Sequence, residues 1–131
     1  MRPGTFGWAD KAPGLVPPGR HAFVVLKRHL NDNLSIGYIT HSSDLSSVWV
    51  PLPQKVYPSV FPPLSSSTSG IHVTCTNRDQ GLRTAMFEPV YPDRFKIHGQ
   101  TIIATDLRMM DAKQWKILFN SMLVYVPSLA A

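Results

Sequence analysis

Prolines and glycines interrupt this chain so often that they decide most of what it can become. Twelve prolines and eight glycines are spread over 131 residues. Proline lacks a backbone donor and clashes with the preceding helical turn, so long helices are excluded over most of the chain. Short strands joined by irregular loops are what remain. With 44% hydrophobic and 16% charged residues, the chain has the apolar surface for one core, and a single domain over 1–131 is expected.

Residues 5–9 read as an opening strand that runs into the irregular stretch Pro13 to Gly19. The run 21–28 is β-branched and apolar at its centre, and 34–40 alternates Leu34, Ile36 and Tyr38 with Ser35, Gly37 and Ile39. Asn31-Asp32-Asn33 tolerates turn conformations, so these two runs form a hairpin. Further strands are expected at 47–52, 71–76, 84–89, 94–98 and 101–107. Five prolines between Pro51 and Pro63, then the Ser-rich run 65–70, make a long irregular segment, read as a loop or flap over 51–70.

One helix is expected near the C-terminus. Asp111 can cap it, with Gln114 three residues later in the capping-box position. Trp115, Leu118, Phe119 and Met122 recur at helical spacing and supply a face for the core. Regular structure should end at 124–126, before Pro127. The fold class is therefore mainly β: a small, bent, partly open barrel of short antiparallel strands with a C-terminal helix.

Composition narrows the chemistry. There is neither a signal-peptide apolar region nor a membrane span in the pattern, and Cys75 is the lone cysteine, so a cytoplasmic protein without disulfide or thiolate cluster is expected. Cys75 reads as a small core or edge residue. His21, His29, His41, His72 and His98 show no paired ligand spacing, so no metal is expected. No phosphate loop, dinucleotide fingerprint or serine-hydrolase elbow occurs, and no cofactor is expected. The formal charge of +5 favours approach to a polyanion.

If the hairpin turns at Asn31, residues whose numbers sum to about 62 face one another, and His21 lies opposite His41. Arg20, Thr40, Ser42 and Ser43 then gather at the same open end. Imidazole, guanidinium and hydroxyl groups held together can cleave a ribose-phosphate backbone: a base for the 2′-OH, an acid for the leaving oxygen, a cation for the phosphorane. Arg20, His21, Thr40 and His41 are the candidate catalytic residues.

Gly4-Thr5-Phe6-Gly7-Trp8-Ala9-Asp10, the strand Gly19-Arg20-His21-Ala22-Phe23-Val24-Val25-Leu26, the ending Tyr38-Ile39-Thr40, and Thr105-Asp106-Leu107-Arg108-Met109-Met110-Asp111 before a helix follow one another in this order. Together they resemble the PemK and MazF family of toxin-like endoribonucleases, over most of the chain but through short motifs. Aligned without a gap, the family's catalytic Arg falls at His21, with Arg20 one place away, and its catalytic Thr falls on Thr40. The family's Pro after the Arg is Ala22 here, and the 51–70 segment has no counterpart. The resemblance implies an SH3-like barrel and a homodimer, cleaving single-stranded RNA without a metal and restrained by an inhibitory protein partner. The competing reading is a non-catalytic binding module that takes a protein partner or nucleic acid through the Pro-rich flap and Trp49, Tyr57 and Phe61.

Overall fold

The apolar runs that the prolines leave intact pair with one another into a curled sheet. The computed structural model describes residues 1–14, 18–30, 33–40, 48–51, 72–75, 83–87, 93–97 and 99–130. Eight strands are present among the described residues: β1 (Thr5–Ala9), β2 (His21–Arg28), β3 (Asn33–Thr40), β4 (Val48–Pro51), β5 (His72–Cys75), β6 (Arg83–Phe87), β7 (Arg94–Ile97) and β8 (Gln100–Met109). They are followed, among the described residues, by an α-helix, α1 (Ala112–Tyr125), and a 3-10 turn at Pro127–Ala130. The fold is the mainly β, partly open barrel with a C-terminal helix that the strand pattern anticipates. Apart from Pro51, the 51–70 flap lies outside the described residues.

Every strand pairing among the described residues is antiparallel. The pairings run β2-β1-β8-β7-β6-β3, and β3 returns to β2, so six strands close a ring. The second edge of β3 is shared. Its first half, Asn33 to Ile36, pairs with β6, and Ile39 and Thr40 pair with β5. The ring parts between these two partners, and β4 adds to the outer edge of β5.

β2 explains why a nearly unbroken apolar run makes a strand here. Ala22, Val24 and Leu26 enter a core beneath the helix, while Phe23 and Val25 enter the barrel. Both faces are covered, so alternation with polar residues is not required. The barrel core adds Leu34, Ile36 and Tyr38 from β3, Phe95 and Ile97 from β7, and Ile102 and Ala104 from β8. The helix core adds Phe6, Ile39, Leu118 and Met122, with Trp115 and Phe119 partly buried against it.

The helix begins where its cap residue stands. The Gln114 N–H donates to Asp111 Oδ1 at 2.9 Å, satisfying one of the first-turn amides. Regular structure does not stop at Val126. The Pro127–Ala130 turn follows because proline, lacking an N–H, is well suited to a helical first position, and Val126 and Leu129 return to the helix core.

β8 carries a bulge against β1. Phe6 faces Arg108 but Trp8 faces Thr105, so Gly7 opposes two residues, Asp106 and Leu107. Asp106 adopts φ 53°, a left-handed conformation that Asp tolerates better than most residues. The approach is close: a Cβ on Gly7 would lie 2.7 Å from the Thr105 carbonyl oxygen and 3.1 Å from Leu107 Cδ2. Gly7→Ala is therefore expected to destabilise the fold by about 1–3 kcal/mol. A urea titration that leaves the midpoint unmoved would show that the bulge relaxes freely. No helix among the described residues is long and apolar enough to cross a membrane.

Candidate functional site

The open end of the β2–β3 hairpin is set by a second bulge. Arg28 faces Leu34 and Lys27 faces Ser35, in the register expected from the sequence. Beyond them Val25 faces Ile36, and the pairing continues to Ala22 opposite Ile39. Leu26 is the extra residue, and each later position moves by one. The expected pairing of His21 with His41 is thereby displaced: carried one step past Ala22, the register puts Thr40 across from His21. Val24 and Leu26 share the helix-facing side by ordinary alternation, and beyond the extra residue Lys27 meets Ser35. His41 lies outside the described residues, as do Ser42 and Ser43, and Thr40 is described by its backbone.

The row extends on both sides. His21 faces Ala9 of β1, Thr40 faces His72 of β5, and His72 faces Pro51 of β4. His21, Thr40 and His72 thus hold successive positions across three strands. Sequence reasoning passes over His72 because its place depends on β3 pairing with β5, a contact between residues far apart in the chain. No local spacing signals it.

His21 is half-buried and held from two directions. Its Nδ1 lies 2.7 Å from the Gly19 carbonyl oxygen, and its ring meets Tyr38 edge-on, with centroids 6.2 Å apart at 73°. Tyr38 is itself fixed: its ring is buried and its hydroxyl donates to the Lys11 carbonyl at 3.0 Å. A carbonyl oxygen can only accept, so Nδ1 carries the hydrogen. In the neutral ring this leaves the lone pair on Nε2, the arrangement a general base requires.

Arg20 is placed differently. Its guanidinium lies 4.3 Å above the Trp8 ring, and Trp8 packs against the helix core, whereas His21 contacts the barrel core through Tyr38. Consecutive strand positions point to opposite faces, so Arg20 and His21 leave the chain on opposite sides of the sheet. The structure brings His21 to Thr40 and His72 in the strand register, and Arg20 to Trp8.

No protein-family model, curated protein or solved structure matches this chain. The roles of these residues rest on their own chemistry. No cluster of three or more His, Cys, Asp or Glu residues able to hold a metal ion is found among the described residues.

Proposed function

We propose that this protein is a metal-independent endoribonuclease that cleaves single-stranded RNA in the cytoplasm, in the manner of the PemK and MazF enzymes it resembles. The observation that carries the reading is the hydrogen bond from His21 Nδ1 to Gly19, which leaves Nε2 as the accepting nitrogen at the mouth of the barrel. In the proposed reaction Nε2 takes the proton from a ribose 2′-OH. The 2′-oxygen attacks the adjacent phosphorus, the bond to the 5′-oxygen breaks, and a 2′,3′-cyclic phosphate forms. The leaving 5′-oxygen takes up a proton.

His72 is the acid that the strand row offers. Two strand spacings separate its backbone from that of His21, about 9.5 Å, a span that a phosphodiester can bridge in the proposed reaction. Thr40 holds the register position between them and is the hydroxyl-bearing residue assigned to the phosphate in this reading. Arg20 lies over Trp8 on the other face, so the cation facing the phosphorane is not assigned to it. A homodimer and an inhibitory protein partner belong to this reading through the family resemblance.

The test is incubation of the purified protein with a long single-stranded RNA in EDTA, beside Thr40→Ala. Site-specific cleavage by the wild type alone, with 2′,3′-cyclic phosphate ends, is expected. Intact RNA in both samples of folded protein would overturn the nuclease and leave the barrel as a binding module.

A further inference from the structure

The helix-bearing side of β1 and β8 has a feature that the catalytic row does not use. Two exposed arginines each lie over an aromatic ring of β1: Arg20 at 4.3 Å above Trp8, and Arg108 at 5.7 Å above Phe6. Phe6 and Trp8 are two residues apart and share a face, so the two pairs are about 6.8 Å apart along the strand. We propose that this face is the track along which single-stranded RNA is held, with Arg20 and Arg108 contacting successive nucleotides. The inference deepens the nuclease reading and rests on RNA being the ligand.

Chemistry selects the occupant. A guanidinium held over an aromatic ring is positioned by the ring beneath it and can still turn its N–H groups toward a ligand. A base can stack on a guanidinium and a phosphate can be gripped by its N–H groups, the two contacts from which sequence-tolerant single-strand grooves are built. The balance of thirteen basic to eight acidic residues favours a polyanion over a basic partner. Asp10, at the end of β1, is already engaged: its Oδ1 accepts from the Ile103 N–H at 2.9 Å. Asp106 is the carboxylate exposed on β8 between Thr105 and Leu107.

The bulge gives the second pair its arginine. With the register that holds at Trp8 and Thr105, Phe6 would face Leu107, an apolar side chain. The extra residue moves Arg108 into that place. Keeping it there requires a non-glycine residue at φ 53° and a position at Gly7 where a Cβ would meet backbone at 2.7 Å. A device that re-aims one side chain at the expense of local strain is characteristic of binding surfaces.

The track also reaches the catalytic row. Arg20 and His21 are consecutive, so their Cα atoms are about 3.8 Å apart. A strand leaving the Arg20–Trp8 pair crosses the barrel rim at the first residue of β2 and arrives at His21.

The experiment measures binding of a fluorescent single-stranded 2′-O-methyl RNA, which lacks the attacking hydroxyl and stays intact. Arg20→Ala combined with Arg108→Ala is expected to lower affinity at least about tenfold, and the slope of log affinity against log salt to fall by about 1.4, the value for two phosphates on a single strand. Arg20→Lys with Arg108→Lys should keep the salt slope and lose part of the affinity, since lysine preserves charge but not the stacked plane. No binding by the wild type, or equal binding by the folded double-alanine variant, would overturn the proposal. Wild-type binding lost in that variant, without cleavage of ordinary RNA, would sink the nuclease and leave the track. Cleavage with unchanged binding in the variant would do the reverse.

Discussion

His21→Ala is expected to lower the rate of RNA cleavage by about two to four orders of magnitude, the usual contribution of a positioned general base. The fold should survive. His21 is half-buried at the start of β2, and its loss removes one hydrogen bond to Gly19 and one edge contact with Tyr38, leaving the rest of both cores in place. His29 provides the matching control. It lies just past the other end of β2, about 26 Å along the strand direction, where its Nε2 shares a 2.7 Å hydrogen bond with Ser35 Oγ. His29→Ala should therefore leave cleavage unchanged. Single-turnover rates for the two variants, with far-ultraviolet circular dichroism as the check on folding, separate the outcomes: equal rates in both would remove His21 from the site.

Phe23→Ala is expected to cost about 3–5 kcal/mol, the range for losing a fully buried aromatic side chain. The position explains the size. In the ring β2-β1-β8-β7-β6-β3, β2 and β7 stand three places apart in either direction, so Phe23 and Phe95 meet across the barrel interior. Their centroids are 5.2 Å apart at 60°, an edge-to-face arrangement, and both rings are completely buried. Removing one ring opens a void that no single neighbouring strand can fill. A fall of roughly 10 °C or more in the thermal midpoint should accompany the substitution. Leu30→Ala, at a fully exposed turn position, should move it little. A Phe23→Ala midpoint within a degree or two of the wild type would mean that the barrel collapses around the gap.

Features decided by local chemistry were legible in the sequence. The Asp111 cap, the Leu118 and Met122 stripe, and the alternation of Leu34, Ile36 and Tyr38 all depend on residues within a few positions of one another. The hairpin was legible too, together with its register near the turn. Its register at the far end was not, because the bulge at Leu26, which moves every later pair by one, is set by pairing beyond the local sequence. The same non-local pairing hid His72. Arg20 and His21, neighbours in the chain, go to different surfaces by local alternation, a rule that grouping them at one open end overlooks. The ring contact between β1 and β8 joins residues about a hundred positions apart, and the arginine pair on Phe6 and Trp8 exists only once that contact is made.

The shared edge of β3 has a mechanical consequence. Among the described residues, the β4–β5 hairpin is stitched to the ring through Ile39 and Thr40. That pair of strands also touches the C-terminal helix through β4, so a force applied to it from the proline-rich chain between its strands reaches both the ring and the helix. One of the two ring residues is the threonine across from His21, so strain on the pair reaches the candidate site and the helix core together.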